Sequence, residues 1–470
     1  MRKPSPLFTC ILLFINTSVF AQDFCLEDVV NYESDFSSTE LISDDFDQDG
    51  YLDIAITNKK YNDESDVTVF LNKGDGTFYP AVHYLTDVGN ESLASGDLNE
   101  DGYPDIAVTN YNSHTISVLL NKKDGTFLDA VHYPFGAFPF EIMVADIDKD
   151  GHNDLVFGNQ ANRSLVLMWG EGDGSFQDTS VFALPGSPNS IQLADLDNDQ
   201  SLDVLVSCKD AENSISVFSQ FSGRTPFSYV RYPFYGSWRH TPREFQVAYI
   251  NQDSLLDIVV CHSNSDSISI RYGNGTGGFL APFYFPFMGR SVNIDVLHLN
   301  GDAFADMVVA NRDYNGYDVY LGNANGTFDW AENTIAWVNT SSVLAGDFNN
   351  DGKEDVALSS SGAGSTKGAL SIMLNCYEPI GLQEQTAQTM DISLYPNPFQ
   401  EKTSIHLSGT NMGGGNSLGE IFSLNGERIK TFAFSGEQFT LSKEGMKTGV
   451  YLLRLQCSNG QRVSKKIIVL

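Results

Sequence analysis

Asp45-Phe46-Asp47-Gln48-Asp49-Gly50-Tyr51-Leu52-Asp53 sets carboxylates at the first, third, fifth and ninth places of one loop and a glycine at the sixth. The spacing returns as Asp97, Asn99, Asp101, Gly102 and Asp105, and again as Asp146, Asp148, Asp150, Gly151 and Asp154. It recurs as Asp195, Asp197, Asp199 and Asp203, and finally as Asp347, Asn349, Asp351, Gly352 and Asp355. Two worn copies lie between, at Tyr249, Asn251, Asp253, Asp257 and at His298, Asn300, Asp302, Asp306. The first positions are 52, 49, 49, 54, 49 and 49 residues apart. A fixed period of this length marks units that bury their apolar faces against one another.

Each unit repeats one grammar. A short β-branched run follows the loop (Ile54-Ala55-Ile56, Ile106-Ala107-Val108, Val204-Leu205-Val206), too short for a helix and apolar enough for a buried strand. An alternating strand such as Ile116-Ser117-Val118 comes next, then a glycine hairpin closed by Phe (Gly76-Thr77-Phe78, Gly125-Thr126-Phe127), then a last strand such as Ala81-Val82-His83-Tyr84. With the strand before the loop, that makes four strands per unit. Seven such units predict an all-β, seven-bladed propeller.

The seventh unit stops at Cys376 without its fourth strand, while Val29-Val30-Asn31-Tyr32 matches the fourth strands of the other units. The N-terminal strand is therefore expected to complete the last blade. That register brings Cys25 beside Cys376 and predicts a disulfide at the seam, with two unpaired thiols as the alternative. Cys208 and Cys261 follow buried strands and read as core residues.

Carboxylates at alternate positions can turn inward around one point, and a hard divalent cation wants six to eight oxygen ligands. Asp, Asn and Gly also favour turns for their own sake. Five loops with three or four carboxylates each would repel themselves without a counter-ion, so calcium is expected at Asp45, Asp47, Asp49, Asp53 and at the matching residues of the four other acid-rich loops, about five sites in all. Gln200 stands where the Asp195 loop should have its glycine, and the loops at Asp253 and Asp302 keep two carboxylates each. The formal net charge of -32 is in large part this signature, and it argues against nucleic-acid partners.

The repeat resembles the FG-GAP and VCBS repeats of integrin α-subunit propellers and of many bacterial exported proteins, which implies calcium-binding blades over residues 24–376. Near the other end, Tyr395-Pro396-Asn397-Pro398-Phe399, Ile421 to Gly426, Gly449 to Arg454 and the tail Lys465 to Leu470 resemble the type A sorting domain of the type IX secretion pathway of Bacteroidetes. That resemblance implies a small Ig-like β-sandwich handled by an outer-membrane machine; a carbohydrate-binding sandwich is the alternative. The N-terminus, Arg2-Lys3 followed by an apolar stretch and Val19-Phe20-Ala21, reads as a signal peptide. The expected organisation is a signal peptide over 1–21, a propeller over 22–376, a linker over 377–390 and a sorting domain over 391–470. No stretch has the length of a transmembrane helix, and a secreted or surface-attached monomer is expected.

No catalytic constellation emerges. Gly415-Asn416-Ser417-Leu418-Gly419 fits G-x-S-x-G but sits in a glycine-rich region without the strand-turn-helix of a hydrolase. Gly362 to Lys367 has the wrong order for a phosphate loop, and His83 and His132 read as solvent-facing repeat residues. The longest repeat carries Tyr235, Trp238 and Arg239 in a loop between units, residue types that dominate binding energetics, though such aromatics also pack between blades. The expectation is a non-enzymatic adhesion or binding module for an extracellular glycan or protein. A propeller-based enzyme such as a polysaccharide lyase is the alternative.

Overall fold

The β-branched runs after the acidic loops become strands with no solvent face. The computed structural model describes residues 24–377 and 391–470, apart from positions 36, 61–62, 136–137, 211–212, 235–239, 264, 337–338, 363–366, 409–416, 424–427, 437 and 457–461. The chain divides into two compact units, Met1–Tyr377 and Glu378–Leu470. Every regular element among the described residues is a strand. The signal peptide and most of the linker expected from the sequence lie outside the described residues.

In the first unit, β1 (Val30–Glu33) is held back for a later sheet, and β2 (Ser38–Asp44), β3 (Asp53–Asn58), β4 (Asp66–Phe70) and β5 (Val82–Leu85) pair antiparallel in chain order. Seven four-stranded antiparallel sheets are found among the described residues of this unit, six of them built from consecutive strands. The remaining sheet holds Thr340–Gly346, Asp355–Ser360 and Ala369–Met373, and takes β1 as its outer strand, with Val30 opposite Ile372 and Glu33 opposite Ala369. The first strand of each sheet touches the first strand of the next, and Thr340–Gly346 touches β2, so the cycle closes. Such sheets are consistent with propeller blades.

The core is distributed between sheets. Phe46, Val67 and Val69 pack with Leu93, Ile106 and Phe127 of the following sheet, and Leu41, Ile54 and Phe70 pack with Phe348 and Leu370 of the preceding one. All six residues of β3 are buried, as are all six of Asp105–Asn110. The alternation Ile116-Ser117-Val118 suggests one polar face, yet Ser117 is buried with its neighbours because a second sheet covers that side. Its hydroxyl is bonded to His132 Nδ1 at 2.8 Å and accepts from Asn110 Nδ2 at 2.7 Å. His83 does the same with Thr68 at 2.8 Å.

The hairpin Phe has a matching purpose. Phe78, Phe127, Phe176 and Phe279 meet Tyr32, Tyr84, Tyr133 and Tyr232 edge-on at centroid separations of 5.5, 5.3, 5.5 and 5.3 Å. In each pair the tyrosine comes from the outer strand of the preceding sheet, so an aromatic contact fastens one sheet to the next.

At the seam, Cys25 and Cys376 form a disulfide across a sequence separation of 351, and the Cys376 amide donates to the Cys25 carbonyl at 3.1 Å. Cys208 and Cys261 are buried free thiols, and burial pushes them up to about 11 and about 12, so they stay protonated. Cys457 lies outside the described residues.

The second unit has a three-stranded sheet of Asp391–Tyr395, Lys402–Ser408 and Gln438–Ser442, and a four-stranded sheet ordered Arg428–Phe434, Ser417–Ser423, Gly449–Gln456, Arg462–Val469. Ile392, Ile405 and Leu407 of the first share a core with Ile421, Leu453 and Ile467 of the second. Ser417, read from the sequence as part of a loop, opens a strand, which excludes the sharp elbow that exposes a nucleophile.

Closing a loop of this length removes much unfolded-chain entropy. The double variant C25S/C376S is expected to lose about 2–4 kcal/mol, measured by urea unfolding of the oxidised protein against the variant. An unchanged midpoint would show that the strand pairing of β1 alone holds the seam.

Candidate metal centres

Each acidic loop joins the first and second strands of its sheet, and its side chains fold the loop before any ligand is considered. In the Asp45 loop, the Asp45 carboxylate accepts from the Asp49 amide at 3.0 Å and the Gly50 amide at 2.9 Å. Asp47 Oδ1 accepts from the Asp49 amide at 3.2 Å, and Asp49 Oδ1 from the Tyr51 amide at 3.0 Å. The same bonds form in the loops of Asp97, Asp146, Asp195 and Asp347. Asn99 and Asn349 use their amide oxygens where Asp47 uses a carboxylate, at 3.0 and 3.1 Å.

The turn itself needs positive φ. Gly50 takes 93°, and Gln200 makes the equivalent turn at 67°, so the missing glycine does not unmake the Asp195 loop. The worn loops differ at the first position. With Tyr249 and His298 there, no carboxylate caps the fifth and sixth amides, though Asn251 and Asn300 still bond the Asp253 and Asp302 amides at 3.1 Å.

The ninth residue behaves differently from the rest. Asp53 is fully buried, with Oδ2 accepting from the Phe46 amide at 3.0 Å and Oδ1 from the Asn72 amide at 2.7 Å. Asp105, Asp154 and Asp355 repeat this double acceptance. So do Asp257 and Asp306 of the worn loops. Asp203 accepts from the Leu196 amide at 3.0 Å. A carboxylate kept where its loop has lost the first- and third-position acids ties the loop backbone to the hairpin of the same sheet.

The residues fit a hard cation. One oxygen from each of Asp45, Asp47 and Asp53, of Asp146, Asp148 and Asp154, and of Asp195, Asp197 and Asp199 lies within 4.8 Å of the other two in its group. Two oxygens each about 2.4 Å from one calcium ion stand at most about 4.8 Å apart. The donors are all oxygen, as calcium prefers. Without a cation the groups crowd one another. Burial first, and neighbouring carboxylates after it, push Asp53 up to about 7 and Asp105, Asp154, Asp203 and Asp355 to about 6, against the backbone bonds that pull them down. In the Asp146 loop, Arg224 reaches over from the next sheet, with Nε 3.1 Å from Asp148 and its guanidinium 5.2 Å from the Trp169 ring.

Sequence reasoning passed over the residues that latch one loop to the next sheet. Asn121 Nδ2 donates to the Phe46 carbonyl of the preceding loop at 2.8 Å, Asn72 Nδ2 to Phe348 at 2.8 Å, and Asn375 Nδ2 to Leu299 at 3.2 Å. The signal was the recurring Leu-Asn at 71–72, 120–121 and 374–375, just before the hairpin. Side chains of adjacent loops also meet along this rim: Gln48 donates to the Gly102 carbonyl, Glu100 pairs with His152, and Lys149 Nζ donates to Ser201 at 2.8 Å. Tyr235, Trp238 and Arg239 lie outside the described residues.

The FG-GAP-like repeat profile matches residues 45–108, 97–157, 146–206, 250–309 and 298–358, and the secretion system C-terminal sorting domain profile matches 393–470. Among solved structures, BBS1N in complex with ARL6DN aligns over 74% of this chain and 96% of its own, with a TM-score of 0.50 at 12% identity. An Agrocybe aegerita lectin that recognises non-reducing terminal N-acetylglucosamine aligns over 67% of this chain and 92% of its own, at 16% identity and a TM-score of 0.47. The extracellular domain of a hybrid two-component system of B. thetaiotaomicron aligns over 95% and 60%, at 10% identity and a TM-score of 0.44. At 12% identity the first likeness bears on the fold alone. No curated protein matches the chain.

Two kinds of aspartate should respond differently to substitution. Asp257→Asn leaves a buried backbone donor facing an amide and is expected to cost about 1–3 kcal/mol in chelator, by urea unfolding. Asp45→Asn is expected to leave stability in chelator nearly unchanged and to weaken calcium binding by titration calorimetry. Equal losses of stability for both would remove the distinction.

Proposed function

The chain belongs to the FG-GAP-like repeat family, and from that premise we propose that its first unit is a calcium-loaded, seven-bladed β-propeller serving as a non-catalytic extracellular binding module. Its sorting domain marks a protein exported by the type IX system, secreted or attached to the cell surface. No helix of the described residues is long and apolar enough to cross a membrane.

The observation that supports the calcium reading is the identity of the five acid-rich loops, in which the same offsets make the same backbone bonds, and in three of which carboxylate oxygens lie within 4.8 Å of one another. Calcium joins the first- and third-position oxygens to that of the ninth or the fifth position and rigidifies the rim. The two worn loops, lacking the first-position acid, hold their shape through the ninth-position aspartate and bind no ion.

The binding reading rests on the architecture. A rigid ring of sheets presents loops on its two faces, and loops on a rigid scaffold are where recognition concentrates. The ligand class is an extracellular glycan or protein, gripped by the loops between sheets, and the segment of Tyr235, Trp238 and Arg239 is the first to test. The second unit, with its two sheets around one core, is an Ig-like sandwich that the secretion machine reads.

Ligand binding stabilises by mass action, by about 2.7 kcal/mol per site at a hundredfold excess over Kd. Calorimetric melts of the mature protein are therefore expected to fall steeply in chelator, and a melt unmoved by chelator would overturn the calcium reading. On a glycan array and against soluble polysaccharides, retention without turnover is expected; a lyase or hydrolase activity would replace the binding reading with the enzymatic one.

A further inference from the structure

At three junctions between sheets of the first unit, a glycine of the following hairpin lies over the third position of the acidic loop. A Cβ at Gly125, Gly277 or Gly326 would stand 3.1, 3.3 or 2.9 Å from the Cβ of Asp47, Asp197 or Asn251. What those hairpins lay against the third position is bare backbone.

The junction of the third and fourth sheets is built differently. Its hairpin strands are Ser214–Ser222 and Thr225–Pro233, nine residues each and paired to the tip, with Ser222 opposite Thr225. The equivalent strands of the second sheet, Thr115–Leu119 and Val131–Pro134, have five and four. A two-residue turn with its glycine first, Gly223 at a φ of 59°, sets Arg224 at the end of this longer hairpin. There it meets the Asp146 loop of the preceding sheet.

Arg224 is held through both its backbone and its side chain. Its carbonyl accepts from Ser180 Oγ at 3.4 Å, and Ser180 Oγ in turn accepts from Trp169 Nε1 at 3.1 Å. Its guanidinium lies 5.2 Å from the centre of the Trp169 ring. Nε donates to Asp148 Oδ2 at 3.1 Å, one terminal nitrogen donates to Asp178 Oδ2 at 3.2 Å, and the other stands 3.8 Å from Asp150 Oδ2. Asp148 and Asp150 are the third and fifth positions of the loop, and Asp148 belongs with Asp146 and Asp154 to one of the groups of converging oxygens.

The other acid-rich loops are met differently. Lys123 stands 3.6 Å from Asp101 and Lys353 3.0 Å from Asp351, in each case at the fifth position of a loop whose third position is an uncharged asparagine. Among the described residues, no ion pair reaches the converging carboxylates of the Asp45 and Asp195 loops.

We propose, on the premise that the acid-rich loops bind calcium, that Arg224 is a resident counter-ion of the Asp146 loop. It occupies the third-position carboxylate that the ion needs and sets this loop's affinity below that of the Asp45 and Asp195 loops. A guanidinium brings one positive charge and planar donors matched to carboxylates, which offsets part of the loop's four like charges when no ion is bound. The same charge opposes an arriving ion: one unit against two, a few ångströms apart in a solvent-like dielectric, changes affinity by about tenfold. The third and fourth sheets are thereby fastened at low calcium, and this loop fills after those of Asp45 and Asp195.

Titration calorimetry of the mature protein with Ca2+, after exhaustive chelation, tests this. Arg224→Gln is expected to tighten one class of sites by about tenfold. The tightening is expected to vanish when Asp146→Asn is added, which assigns it to this loop. Arg224→Lys keeps the charge and is expected to change affinity less than Arg224→Gln does. If Arg224→Gln does not fold, Arg224→Met carries the same expectation. In chelator the variant is expected to melt below the parent, and in saturating calcium the gap is expected to narrow, as for a group that stands in for the ion. Loss of the Trp169 contact alone would lower both melts equally and leave calcium affinity where it was; that result, or weaker binding by Arg224→Gln, overturns the proposal. Failure of the loop reading is distinguishable, since Asp146→Asn alone would then leave the calcium stoichiometry unchanged. A stoichiometry lowered by one, with Arg224→Gln titrating like the parent, removes the role of Arg224 only.

Discussion

No sheet of the first unit has an apolar face that it can bury alone. β3 and its counterparts are covered on both sides, and every hydrophobic cluster of this unit draws on two sheets. Hydrophobic burial is roughly proportional to the area removed from water, so an open row of sheets would leave its two end faces wet. Closure of the cycle follows from that constraint. The chain meets it by lending β1 to the last sheet and fastening the join with Cys25 and Cys376.

The same constraint sets the purpose of several polar and aromatic residues. Phe78 and its equivalents reach the tyrosine of the preceding outer strand, and Asn72, Asn121 and Asn375 reach the carbonyl of the preceding loop. Each is a contact between neighbours, and repetition turns a local fastening into a ring. Buried backbone groups at the loop are satisfied by the ninth aspartate, which in the Asp45 and Asp146 loops also sets an oxygen beside those of the first and third positions.

Carboxylates thus serve in three settings distinguished by depth. On the rim, Asp45, Asp47 and Asp49 are partly exposed and shape a loop through short-range bonds. Beneath them, Asp53 is buried and doubly bonded by backbone amides. In a first strand, Glu141 is buried with Glu40, Glu244 and Glu91 among its charged surroundings, and burial above all raises its carboxyl well above the usual range. The chemical group is constant, and its surroundings decide whether it caps, braces or holds its proton more tightly.

Much of the architecture was legible along the chain, because its signals are local and repeated: the D-x-D-x-D-G-x-x-D spacing, the β-branched run, the Gly-Thr-Phe hairpin, and a first strand stranded at the wrong end. The candidate loop ligands were legible for the same reason. What the residue string could not separate was the ninth aspartate from the other three, since all four look alike until the Phe46 and Asn72 amides are seen to close on it from different parts of the sheet. Nor could it show that Ser117, in an alternating strand, is buried, because the covering sheet lies in another repeat. The join is the extreme case: Val30 and Ile372 stand at opposite ends of the repeat array, and only closure of the cycle of sheets pairs them. Spacing along the chain encodes what a repeat does for itself and for its neighbour, while the contact between the last sheet and the first exists only once the cycle has closed.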